Sequence, residues 1–333
     1  MKLATVEKNG HRFVCVEDPH GHLIDVEELL LLASHNDQTP RIQSMRQVIA
    51  NASAVLPAID EALNDSSKLD AELIDPQSVR WLPPVVAPGK VCAVAMNNSA
   101  SNARKISAPD HPAFFLKPPS CFIGHRETIR IRRYYGSVHP EPELAVVIGR
   151  EACEVEARDA LDYVFGYTIV DDITGNAMRA QDMFHYWAIY ADPDNPDETN
   201  RVEQHLSYAA RYKGSDTFGV MGPWLVTADA IPDPDALDVF CRVGGETIAE
   251  DSTRYYNYKV AEIISFLSFF MTLFPGDVIS LGTAFKPAPG RRSIHHANLQ
   301  RVAGPIEVEI EGLGTQIAEV TIDEKPLGQW RLS

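Results

Sequence analysis

The chain has 333 residues, 45% of them apolar and 23% charged, and a formal charge of −16. This length suits one large domain with a smaller appendage, and it allows a core of good size. So acidic a chain is a poor nucleic-acid binder, since phosphate attraction needs a basic surface, and it can take an anionic substrate only where a bound cation and a few lysines reverse the sign locally.

Met1-Lys2-Leu3 runs directly into Glu7, Lys8 and His11 without a signal pattern. Residues 1 to about 30 alternate around Gly10 and Gly21, which predicts short strands and hairpin turns. Between 41 and 64, Met45, Val48, Ile49, Val55, Leu56, Ile59 and Leu63 recur at helical spacing. Asp75-Pro76, Pro83-Pro84 and Pro88-Gly89 mark a linker, so a small leading domain of residues 1–80 is expected before a main domain of 81–333.

In the main part, strands are expected at Val91–Met96, Phe114–Leu116, Glu143–Gly149, Tyr163–Asp172, Gly222–Thr227, Val239–Val243, Asp277–Leu281 and Ile306–Ile310. The polar stretch Asn97–Ile106 suggests a lid or a short helix, and the clearest helix is Val260–Leu273. Many short strands with one principal helix predict a strand-rich α+β protein and exclude a doubly wound parallel sheet. The apolar segments, such as 261–274, are interrupted and too short to span a bilayer. The five cysteines are scattered without a C-x-x-C pair, which predicts reduced, buried thiols and a cytoplasmic setting.

The chemistry gathers in His139-Pro140-Glu141-Pro142-Glu143-Leu144-Ala145-Val146-Val147-Ile148-Gly149. Alternate strand residues point the same way, so Glu141 and Glu143 share a face. Two like charges that close need a cation or a proton between them. An isolated pair of this kind is more often two solvated glutamates on an edge strand. A second apolar strand, however, delivers Asp171 and Asp172 at its end. Carboxylates without a Cys or His ligand pattern make a hard oxygen site, suited to magnesium, manganese or calcium.

These segments resemble the fumarylacetoacetate hydrolase family, in family order, over roughly residues 85 to 315. Glu-Pro-Glu-Leu-Ala-Val-Val-Ile-Gly resembles the family's E-x-E metal strand, and Gly166-Tyr167-Thr168-Ile169-Val170-Asp171-Asp172 the strand carrying the third carboxylate, at Asp172. Lys213-Gly214-Ser215-Asp216-Thr217-Phe218 with Gly222-Pro223, Pro275-Gly276-Asp277-Val278-Ile279-Ser280-Leu281-Gly282-Thr283, and Phe114-Phe115-Leu116-Lys117-Pro118-Pro119 also match. The resemblance implies a mixed β-roll core with a small N-terminal α/β domain, usually working as a homodimer. It also implies a metal held by Glu141, Glu143 and Asp172. The implied substrate is a small 2-oxo or 1,3-diketo acid, converted through a metal-stabilised enolate, with C–C hydrolysis of an acylpyruvate-type compound in aromatic or sugar-acid catabolism as the leading reaction. Lys213 is the implied oxyanion partner, and Lys117, Asn97, Arg179, Gly282 and Thr283 are the candidate substrate contacts.

Two departures stand out. Where many members carry a histidine and a glutamate that activate water, this chain has Ser101 and Arg104. His185 or the His295-His296 pair would have to supply the base. Otherwise the reaction is a dehydration, decarboxylation or keto–enol isomerisation that needs no strong water activation, or the chain is a non-catalytic metabolite binder. Also, about 180–206 reads as an insertion, with Met183-Phe184-His185-Tyr186-Trp187 ahead of a Pro/Asp-rich loop. Such a cluster suits a lid or a dimer contact.

Overall fold

The computed structural model describes residues 1–33, 41–64, 71–286, 294–302, 304–326 and 328. Its centre is the strand Pro142–Ile148, every residue of which is buried. Alternation still operates there, but both faces are covered. Leu144, Val146 and Ile148 join one apolar cluster, whereas Ala145 and Val147 join the other. This is why the sequence shows a continuous apolar run instead of an apolar/polar alternation.

Twelve strands form the large sheet around it. Its main path runs Leu23–Asp25, His11–Glu17, Lys2–Lys8, Leu225–Thr227, Val164–Asp171, Pro142–Ile148, Val278–Thr283, Val91–Ala95 and Ala113–Lys117. Val278–Thr283 pairs parallel with Val91–Ala95, while its pairing with Pro142–Ile148 is antiparallel, so the sheet is mixed. A five-stranded sheet of Glu246–Ser252, Asp238–Val243, Ile306–Ile310, Gly314–Asp323 and Thr128–Arg132 packs through the first cluster. The strand-rich α+β class holds.

The leading residues share the large sheet, since Leu3 pairs with Leu225. Helices Val26–Ala33, Met45–Ala50 and Ala52–Asn64 cover one sheet face through Val26, Leu29, Val48, Ile49 and Ile59, which pack in the same cluster as Ala145 and Val147. The helical spacing over 41–64 is thus realised as two helices, broken at Asn51, whose side-chain amide donates to the Gln47 carbonyl. The principal helix runs Val260–Phe270, three residues shorter than its apolar spacing suggested. Among the described residues no helix is long and apolar enough to cross a membrane. Cys15, Cys92, Cys121 and Cys241 are buried free thiols, but Cys153 is exposed, against the expectation of general burial.

The expected insertion is an isolated two-stranded ribbon, Met183–Ala191 paired with Thr199–Ser207. Along its first strand only Ala188 is buried.

Where strands approach closely, glycine is obligatory. A Cβ on Gly166 would lie 2.2 Å from the Val226 carbonyl oxygen in the paired strand. Gly166→Ala should therefore cost roughly 2–4 kcal/mol in urea denaturation, as backbone overpacking does. Gly10→Ala, in an open turn at φ +79°, should cost only about 1 kcal/mol. Equal losses at the two sites would contradict this account of the sheet.

Candidate active site

Three adjacent strands end at one place. Pro142 pairs with Asp171, so Glu141 and Asp172 flank each other just past the paired residues. Their backbones are joined by Asp172 N–H donating to the Glu141 carbonyl at 2.9 Å. On the other side Glu143 pairs with Thr283. One carboxylate oxygen from each of Glu141, Glu143 and Asp172 lies within 4.8 Å of the others. The shared face expected for the two glutamates is present, and strand pairing adds the aspartate.

Two lysines hold this charge in place. Lys213, in the short helix Ala210–Gly214, donates from Nζ to Glu141 Oε2 at 2.5 Å and to Asp172 Oδ2 at 2.5 Å. Lys117 is fully buried behind it. Its Nζ donates to Asp172 Oδ1, to the Lys213 carbonyl at 2.5 Å and to the Phe218 carbonyl at 2.9 Å. Lys117 thus fixes Asp172 and the segment that carries Lys213, and it does not line the cavity. Its predicted substrate contact is replaced by a positioning role, because every N–H of its ammonium is spent inside the protein.

The surroundings set the protonation of each carboxyl. Burial opposes ionisation of Glu141, but Lys213 and His139 outweigh it and hold the carboxyl well below the usual range. His139 Nε2 sits 3.1 Å from Glu141 Oε1. Glu143 is pushed well above its ordinary value by burial and then by the charge of Asp172, although Ser280 Oγ donates to its Oε2 at 2.5 Å and Gly282 N–H at 3.2 Å. Burial lowers the Lys213 affinity for a proton, and the three carboxylates more than reverse this. Asp171 turns away from the cluster, accepts from Glu141 N–H at 2.7 Å and is pushed up to about 7 by burial. Three hard oxygens around one point, one of them short of a compensating charge, fit a divalent cation.

The carboxylates open into a cavity of about 390 Å³. Arg179, Thr283 and Lys213 line it. Gly282 lies behind the wall, at φ +87°, where a Cβ would meet the Val94 carbonyl oxygen at 2.8 Å. Its contribution is the N–H on Glu143, so glycine allows the backbone to reach a carboxylate. Asn97 is a correction. Its side chain donates to the Leu281 and Tyr258 carbonyls and accepts from Tyr258 N–H, which leaves nothing for substrate. Asn98 lines the cavity in its place. Met96 at φ +53° breaks the strand alternation just before, so the facing residue shifts by one.

His185 is a second correction. It lies on the exposed ribbon, 2.5 Å from Glu203 Oε1 and stacked on His205 at 4.2 Å between ring centroids, and is not part of the cavity wall. The side chain of His295 lies outside the described residues, and His296 is exposed and also not among the lining residues. Tyr212, Phe115 and Phe285 were not anticipated as lining residues. Tyr212 could have been found from its place beside Lys213. His139 was readable too, because 139, 141 and 143 keep the same period of two.

A family model for the fumarylacetoacetate (FAA) hydrolase C-terminal region matches residues 90–321. An uncharacterised protein of Pyrococcus abyssi is 33% identical over 246 residues, covering 73% of this chain and 94% of its own. Among solved structures, the fumarylacetoacetate hydrolase of Exiguobacterium antarcticum is 28% identical with a TM-score of 0.70, covering 97% of this chain and 100% of that one. The maleylpyruvate hydrolase of Sphingobium sp. SYK-6, in complex with manganese(II) and pyruvate, is 25% identical with a TM-score of 0.69 and the same coverage. The chain belongs to the fumarylacetoacetate hydrolase family.

A raised Glu143 must lose its proton to become a ligand, so cation binding should release a proton. Manganese affinity should therefore fall as the pH is lowered, and calorimetry in two buffers of different ionisation enthalpy should register the release. Glu143→Gln should abolish binding. Undiminished affinity in that variant would remove Glu143 from the site.

Proposed function

We propose that this chain is a divalent-metal-dependent enzyme converting a small 2-oxo acid through its enolate. The observation that carries this reading is the convergence of Glu141, Glu143 and Asp172 oxygens within 4.8 Å, beside Lys213 Nζ, on the wall of one cavity. Hard oxygen ligands suit magnesium or manganese alike. The relative solved in complex with manganese(II) and pyruvate supports a divalent ion and a 2-oxo acid as the ligands of this chain. When bound, such an ion supplies Lewis-acid polarisation of the keto oxygen.

The chain's own residues supply the rest. Lys213 keeps its proton, because Asp172, Glu141 and Glu143 surround it. It presents a fixed positive charge where the keto oxygen gains negative charge as a bond at the neighbouring carbon breaks. Thr283 offers a hydroxyl on the cavity wall, and Arg179 a guanidinium. These are the donors for the substrate's 2-oxo carboxylate. Phe115, whose ring centroid lies 5.6 Å from Lys213 Nζ, and Phe285 exclude water from that side.

Hydrolysis of the C–C bond of an acylpyruvate-type substrate is the reaction favoured by the hydrolase relatives. It requires a group that takes a proton from water. A second reading, decarboxylation, dehydration or keto–enol isomerisation, is favoured by the lining itself. Ser101 and Arg104 stand on the cavity wall where a histidine and a glutamate were implied, and among the described residues no histidine lines it. Both readings pass through an enolate of the 2-oxo acid.

Proton NMR in deuterated water, with magnesium-loaded protein, separates the two. An acylpyruvate giving two fragments identifies a hydrolase. Carbon dioxide loss from oxaloacetate, dehydration of a 2-oxo-3-deoxy sugar acid, or deuterium exchange without cleavage identifies the second reading. Inertness toward all three would defeat the proposal. Lys213→Met should lower kcat roughly 10²- to 10³-fold, as loss of one oxyanion partner does, while manganese binding persists.

A further inference from the structure

Resting on that reading of the site, we propose that Arg104 is a specificity-determining residue: it anchors a second carboxylate, so the substrate is a 2-oxo diacid.

Arg104 ends the short 3₁₀ helix Ser99–Arg104 and reaches the cavity wall. Its guanidinium stands on a hydrogen-bonded pedestal. Arg104 Nη2 donates to Ser101 Oγ at 2.8 Å. Ser101, itself buried, donates its N–H to Asn98 Oδ1 at 2.9 Å, and Asn98 Nδ2 donates to the Thr283 carbonyl at 2.9 Å. Thr283 is paired in turn with Glu143. The arginine is therefore oriented by the strand end that builds the acidic cluster. Arg104 is exposed overall, and this support is what sets the direction of its guanidinium.

Charge favours the same conclusion. Lys213 and Lys117 are committed to Glu141 and Asp172. Arg104 and Arg179 also line the cavity, and neither makes an ion pair among the described residues. A divalent ion would add to this positive excess. One 2-oxo carboxylate leaves much of it unmatched, whereas a dianion offsets more of it. Arg104 keeps most of its five N–H donors for an incoming group, and the planar fork accepts a carboxylate in bidentate fashion. A glutamate at this position would repel the same group.

The test is calorimetric and needs no turnover. Magnesium-loaded protein is titrated with 2-oxoglutarate and with 2-oxovalerate, which share chain length and differ in the second carboxylate. The wild type should bind the diacid about tenfold or more tightly, in line with a charge-assisted hydrogen bond. Arg104→Gln should bring the two ligands to within about threefold by weakening only the diacid, while Arg179→Gln should weaken both. Equal binding of both acids by the wild type overturns the role of Arg104 and leaves the 2-oxo acid site standing. A uniform loss in Arg104→Gln also overturns it, because Arg104 would then hold the shared carboxylate. Binding of neither acid by metal-loaded protein defeats the underlying reading as well.

Discussion

Everything at the centre of this molecule depends on crowding three carboxyl groups at the buried end of a sheet. Like charges so placed cannot all stay ionised without compensation, and the protein compensates with ammonium groups. Lys213 meets Glu141 and Asp172 from the cavity side, and Lys117 meets Asp172 from within. Lys117 also holds the Lys213 and Phe218 carbonyls, so the compensating charge and its chain segment are placed by one side chain. Glu143 makes no ion pair with either lysine; it takes a hydroxyl and a backbone N–H, and burial keeps its carboxyl well above the usual range. That imbalance gives the cluster its appetite for a further cation.

The acidic cluster was legible in the sequence because a period of two is all that the glutamates require, and because the aspartates close an unmistakable apolar strand. What periodicity could not supply is strand order. The Glu143 and Thr283 strands are adjacent although well over a hundred residues separate them, and only the sheet puts them side by side. Where alternation is interrupted, counting fails. Met96 in the left-handed region exchanges the roles of Asn97 and Asn98. Ser101 and Arg104 were read as losses, since a sequence displays what is missing from a motif more readily than what a replacement supports.

The aromatic stretch at 183–190 illustrates a different gap. Its residue types are right for a strand, but nearly every side chain is solvent-exposed, so no apolar/polar contrast marks a face. The spacing, longer than the resembled family's, suggested an insertion, and cross-strand pairing from Met183–Ser207 to Ala191–Thr199 gives the segment its form. A two-stranded ribbon without a third strand has little stability of its own. Here its two roots are bound together by Arg211, which grips Asp182 at 2.7 Å and the Met178 carbonyl at 3.3 Å.

Those roots have a mechanical meaning. The ribbon leaves the body next to the helix bearing Arg179 and returns next to the helix bearing Lys213. The Arg211–Asp182 clamp therefore anchors the ribbon at the same two short helices that carry two of the cavity's cations.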